Sequence, residues 1–255
     1  GVSVTKMAER FGRTRSTIYR VVNERRAAAA KRLRLTVVPS PTFDRPDADE
    51  VILRGGVEPF PTNRPRTVSA VPVDDLPEPL RPLYRQPQIE EERQRSLFVR
   101  YNYLKHKAGR LRDALDRYNP RAADLDAFED AIRQARQVRD LLVKANLPIV
   151  LSVAKRQLLA QSDRSLAQLL QLLELGVPVL IAAVDEYNAG RSQRFDSFLT
   201  NRLMQHFVAV QAGASKAHRR LTAEQLLRRM IDQANESGVR LSLDETRYGD
   251  ESDLA

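Results

Sequence analysis

Between Ile89 and Gln211 the apolar residues return every three to four positions, separated by Arg, Gln and Glu. That is the period of amphipathic helices. The pattern predicts helices over roughly 89–118, 125–145, 147–160, 166–187 and 196–210. Asn119-Pro120 ends the first. Pro148 either interrupts the second or opens the third, since proline suits a helix's first turn. Residues 161–165 read as a turn, and Ser165 with Gln168 has the spacing of a capping box. Asn188-Ala189-Gly190 reads as another turn. Period-two alternation is nearly absent, so the expected fold class is all-α.

The N-terminal segment has its own pattern. Met7, Ala8 and Phe11 share one face of a first helix. Ile18, Val21 and Val22 give a second helix its inward face, and Gly12 between them suits a turn needing positive φ. Ala8 has to be small where the helices cross. A third helix over Asn23–Leu33 is expected to pack on this pair, because two short helices alone bury little. Arg13, Thr14, Arg15, Ser16, Thr17, Tyr19 and Arg20 then point outward. This is a helix-turn-helix pattern, and those residue types suit phosphates and base edges in a major groove. A protein-docking hairpin would show the same apolar spacing.

Residues 37–88 hold eleven of the fourteen prolines and little periodicity, so they are expected to form an extended linker. The expected organisation is therefore a helix-turn-helix segment over 1–36, a Pro-rich linker over 37–88 and a helical domain over 89–211. A last segment, 212–255, carries a helix near 222–237 and an acidic tail.

Charge sharpens this picture. The 255 residues carry a formal +9, and residues 1–36 hold ten lysines and arginines against Glu9 and Glu24. A basic block of this kind meets polyanions, of which nucleic acid is the foremost. The alternative is a solvated basic tail. Cysteine is absent, which removes disulfides, thiolate metal sites and a thiol nucleophile, and fits a reducing cytoplasm. No membrane span and no apolar signal core are expected. The chain starts at Gly1 without an initiator Met, as a fragment or a processed chain would. His106, His206 and His218 lack partners at ligand spacing, so no metal is expected. There is no glycine-rich phosphate loop and no supported Ser/His/Asp arrangement, so neither a cofactor nor enzyme activity is expected.

A specific resemblance begins at Val138. Residues 138–156 run Val-Arg-Asp-Leu-Leu-Val-Lys-Ala-Asn-Leu-Pro-Ile-Val-Leu-Ser-Val-Ala-Lys-Arg. The Ala-Asn-Leu step, the apolar run and Ala-Lys resemble the first conserved helix of region 2 in bacterial sigma-70 family sigma factors. Leu172-Leu173-Glu174-Leu175-Gly176, then Leu180, Ala183-Val184 and Tyr187, are similar to that family's polymerase-clamp helix. Arg191 through Phe207 aligns without a gap to its promoter-melting segment, with matches at Phe195, Phe198, Thr200 and Gln205. Residues 90–105 resemble the stretch before region 2 in some divergent members. The resemblance spans about Ile89–Gln211.

It implies a transcription-initiation protein, not an enzyme. Its partners would be core RNA polymerase, through the largest-subunit clamp coiled coil, and promoter DNA; an anti-sigma factor is also admitted. Gln171, Leu172, Glu174 and Leu175 would lie at the polymerase contact. Phe195 and Phe198 would stack on −10 element bases, each stack worth roughly 1–3 kcal/mol. At helical spacing Phe195 could equally be core, whereas the polar neighbours that flank Phe198 favour a functional place for it. Arg191, Arg194 and Arg202 would hold phosphates, Gln205 would reach a base edge, and Thr200 and Asn201 belong to the same surface.

The chain also departs from that pattern. Asn201-Arg202 stands where the family has a Trp pair, so strand opening is expected to be weaker or differently built. Gln171 and Leu175 stand where it has Asp and Glu, which weakens a charge-complementary dock. Val179 replaces a family glycine, and after Gln211 no second helix-turn-helix is evident. Three classes stay open: a divergent sigma factor, a DNA-binding regulator that no longer recruits polymerase, and a protein adaptor without DNA.

Overall fold

The computed structural model describes residues 3–54, 73–86, 89–116, 118–160 and 164–213; the expected helix at 222–237 and the acidic tail lie outside them. The described residues are mostly helical with no strand among them, so the fold is all-α. The main helices are α1 (Val4–Phe11), α2 (Arg15–Arg32), α3 (Arg81–Tyr84), α4 (Glu91–Ala114), α5 (Ala122–Leu159), α6 (Leu166–Glu186) and α7 (Phe195–Gly213). The chain divides into two compact units. The first comprises Gly1–Gly55 with Val99–Val138, the second Gly56–Phe98 with Arg139–Ala255. The dividing points fall inside α4 and α5, so the units do not follow the segments expected from composition.

In the first unit, α1 and α2 are joined by a short turn. Ser3 Oγ accepts from Lys6 N at 3.3 Å and caps α1; Thr14 Oγ1 accepts from Thr17 N at 3.2 Å and caps α2. Gly12 takes φ 58°, the left-handed conformation that closes a helix with no side chain in the way. Two expectations are corrected here. The segment 23–33 is no separate helix but the continuation of α2, because four successive alanines, Ala27–Ala30, propagate it without interruption. Phe11, Val21 and Val22, expected inside, are 63%, 43% and 37% exposed; only Ala8 is buried in α1.

The apolar packing of α2 lies at its other end. Ala27 and Ala30 pack with Ala108 of α4, Leu115, and Leu125, Phe128, Ala131 and Ile132 of α5. The small residues let helices approach closely. Arg26 forks onto Asp126 and Glu129, one turn apart on α5, with Nε 2.8 Å from Glu129; both carboxylates raise its pKa further.

The Pro-rich linker expectation is also corrected where the structure describes it. Around residues 37–54, Phe43 and Ala48 are buried, and the Phe43 ring meets the edge of Tyr103 at 5.6 Å. Tyr103 Oη donates to Asp49 at 2.7 Å, and Lys107 Nζ donates to the same carboxylate at 2.7 Å. Lys107 chiefly holds the Asp49 carboxyl below its ordinary range, while burial, helped by Asp49, pushes Tyr103 up to about 12. Proline-rich composition marks irregular backbone, and irregular backbone still packs when apolar side chains punctuate it.

The second unit repeats that lesson. In residues 73–86, Val73, Leu76, Leu80 and Tyr84 are buried, and Lys155 Nζ holds Asp75 at 2.8 Å. The helix α5 runs straight through Pro148, where the sequence predicts a break or a start. Proline inside a helix forfeits one hydrogen bond and costs about 3 kcal/mol. Leu142, Leu147, Val150 and Leu151 around it are all buried, and their packing offsets that cost. Ser165 caps α6, accepting from Gln168 N at 3.3 Å. Here α6 passes through Gly176 and Pro178 as expected. By length and composition α6 is apolar enough to cross a membrane, contrary to expectation, but Leu169, Leu170, Leu173, Leu180 and Val184 are buried in this unit's core.

Asn146, the centre of the Ala-Asn-Leu step, is 2% exposed; it accepts from Gln94 Nε2 at 2.9 Å and donates to the Leu142 carbonyl at 2.7 Å. Asn146→Ala leaves the buried Gln94 amide without this acceptor, a loss of about 1–3 kcal/mol. Urea unfolding should show it, and the effect should shrink when Gln94→Leu is already present. Equal loss in both backgrounds would mean that the pair is not coupled.

Candidate nucleic-acid interfaces

The first surface is the start of α2. Arg13, Thr14, Arg15, Ser16, Tyr19 and Arg20 are exposed, and Thr17 is half-buried. The Thr14 and Thr17 hydroxyls bond each other at 2.9 Å, so these two serve the cap first. Arg20 meets Glu24 at 3.8 Å one turn along, an exposed pair worth about 0.3–0.5 kcal/mol. Phe11 and Tyr19 add exposed aromatic surface to the hairpin.

The second surface lies on α7 in the second unit. Phe195, Leu199, Leu203 and Phe207 recur every fourth position and are all buried. Phe195 is 2% exposed and sits 4.7 Å from the Phe98 ring and 5.0 Å from Tyr187. It is core, and the expectation that it stacks on bases is corrected. Phe198 is half-buried, 5.5 Å from Tyr187, with the Arg202 guanidinium 5.0 Å over its ring. Phe198, Asn201, Arg202 and Gln205 share one helix face by their spacing. Asn201 and Gln205 are exposed and Thr200 is half-buried.

The arginines are less available than expected. Arg202 pairs with Glu186 at 2.6 Å, and Arg194 with Glu91 at 3.2 Å and Asp196 at 3.8 Å. Arg191 is exposed, and its carbonyl accepts from Arg95 at 3.2 Å. Glu91 and Glu186 were not anticipated: their partners lie far along the chain or on another helix, and no local spacing announces them. Tyr187 Oη donates to the Gln193 carbonyl at 2.6 Å, fixing the turn before α7, and burial pushes its pKa up.

On α6, Gln171, Glu174 and Leu175 are half-buried and Pro178 is exposed, one stripe by spacing. Leu172 is 3% exposed and belongs to the core, so its expected place at a partner contact is corrected. Among the described residues no group of His, Asp and Glu is placed to hold a metal ion.

No family model, curated protein or solved structure matches the chain.

Proposed function

We propose that the chain is a sigma factor-like transcription-initiation protein of the cytoplasm. It binds core RNA polymerase through the α6 stripe and promoter −10 DNA through α7, and its α1–α2 pair acts as a helix-turn-helix on duplex DNA. What carries the reading is the order of the three resembling blocks, which lie consecutively on α5, α6 and α7. A half-exposed Phe198 beside Arg202, Asn201 and Gln205 supports it: an aromatic to stack and polar groups to hold a strand. With Phe195 in the core, a single ring remains for stacking, so strand capture is weaker than a pair would give.

A second reading is favoured by specific residues. Arg194 and Arg202 are already matched by acids, and Gln171 and Leu175 carry no charge for a polymerase dock. In that reading the chain is a DNA-binding regulator that does not recruit polymerase.

Pull-down with purified core RNA polymerase separates the two. Retention of the chain, reduced about tenfold or more by Glu174→Ala with Leu175→Ala while the helical circular dichroism is kept, is the expected result; hot-spot pairs at an interface lose 2 kcal/mol or more. Absence of binding at moderate salt, with duplex DNA still bound, would sink the polymerase claim and leave the regulator.

A further inference from the structure

The first unit has a basic surface that neither the hairpin nor the polymerase reading uses. Lys31, Arg32 and Arg34, at and just beyond the end of α2, face Arg112 of α4 across an open depression of about 670 Å³, with Leu33 and Leu35 in its wall. Arg112 is held in place: its side chain is 24% exposed, Nε donates to Asp113 at 2.9 Å, and Nη1 donates to the Leu33 carbonyl at 3.0 Å. Three of its five donors are left over by those bonds. Lys31 Nζ donates to the Leu115 carbonyl at 3.2 Å, which uses one of three.

Several other cations of this unit are matched: Arg26 by Asp126 and Glu129, Arg45 by Asp47, Arg54 by Glu50 and Lys107 by Asp49. Arg32 and Arg34 are exposed and meet no acid among the described residues. The depression itself contains one carboxylate, Asp113. Asp116 lies near enough to Lys31 to feel its charge, but its carboxylate accepts from the backbone N–H of Tyr118 and Asn119 at 2.7 and 3.1 Å. Four cations thus face at most two engaged acids, which leaves the surface positive.

We propose that this surface is a second phosphate-binding site that holds the backbone of duplex DNA flanking the segment touched by the hairpin. An open, polar, shallow site with a fixed guanidinium suits a phosphate chain better than an enclosed small molecule. Its position selects a duplex. From Arg15 to Lys31 along α2 is about 24 Å at 1.5 Å per residue. That is less than one turn of B-DNA, about 34 Å, so one duplex can meet both basic ends of the same helix.

This rests on the reading of α1–α2 as a duplex-binding hairpin, and the test keeps the two apart. Fluorescence anisotropy would follow a labelled duplex of about three turns between about 50 and 200 mM salt. The proteins are the full chain, Arg32→Ala with Arg34→Ala, and a hairpin variant carrying Arg13→Ala, Arg15→Ala and Arg20→Ala. The groove variant is expected to bind about fifty- to a hundredfold more weakly at about 0.1 M salt, with the log–log salt slope shallower by roughly 1.8, or 0.9 for each lost phosphate contact. Unchanged affinity and slope in the groove variant, with binding lost in the hairpin variant, would overturn the groove and leave the hairpin standing. No duplex binding by the full chain overturns both. Loss confined to single-stranded RNA, with the duplex unaffected, overturns the groove as a duplex site.

Discussion

Phe207→Ala lowers stability by about 3–5 kcal/mol, the range for deleting a fully buried aromatic ring. Phe207 is 0% exposed, and its side chain is wholly apolar. The ring fills space that only a glycine leaves open: a Cβ built on Gly176 would stand 3.3 Å from Phe207 Cζ, 3.4 Å from Leu203 Cδ2 and 2.6 Å from Val150 Cγ1. The last contact cannot be accommodated without a shift, and Val150 is β-branched and stiff at χ1. This gives a companion result of opposite chemistry. Gly176→Ala gains about 1 kcal/mol in helix propensity and loses about 1–3 kcal/mol to overpacking. The clash wins or breaks even, so α6 is not stabilised by the better helix former. Urea unfolding followed by circular dichroism measures both. Val150→Ala should cost less in the Gly176→Ala background than alone, because it removes the offending methyl. A clear stabilisation by Gly176→Ala alone would contradict so close an approach of α5 and α7 to α6.

The second large effect is on binding. Removing Arg13, Arg15 and Arg20 together should weaken duplex binding by several hundredfold at about 0.1 M salt, since each phosphate contact contributes roughly tenfold there through counterion release. The salt slope should fall by about 2.7 for three contacts. All three side chains are exposed, and among the described residues their one ion pair is the weak Arg20–Glu24, so folding should be unaffected. Loss of affinity without a change of slope would point to damaged structure or lost base contacts instead of lost phosphates. Tyr19→Ala offers a contrast: an exposed aromatic reads base edges or packs on sugar, so its loss should leave the slope unchanged.

Helices and their ends were largely legible in the chain. The period of three to four predicted α4, α6 and α7 to within a few residues, and Ser165, Gly12 and Asn188-Ala189-Gly190 were read as cap and turns. Each of these depends on residues within four positions of one another, so the local sequence contains the whole cause. The all-α class follows from the same information.

Three things depended on the tertiary structure. Whether Pro148 ends a helix was decided by the buried leucines and valines around it, whose packing outweighs one lost hydrogen bond. Whether Phe195 or Phe198 faces outward was decided by distant partners: Phe98, nearly a hundred positions earlier, closes over Phe195, while Phe198 stays half-buried. Spacing alone placed both rings within one turn; the polar neighbours of Phe198 favoured it for the outward place, but nothing local buries Phe195. Whether an arginine is free for phosphate was decided by Glu91, Glu186, Asp126 and Glu129, all brought up from other helices. The sequence by itself determined where helices form and how basic the N-terminal segment is, since backbone propensity, capping and net charge are local or additive. Burial and charge pairing were settled only on folding, because both are set by which distant side chains come to lie within a few ångströms.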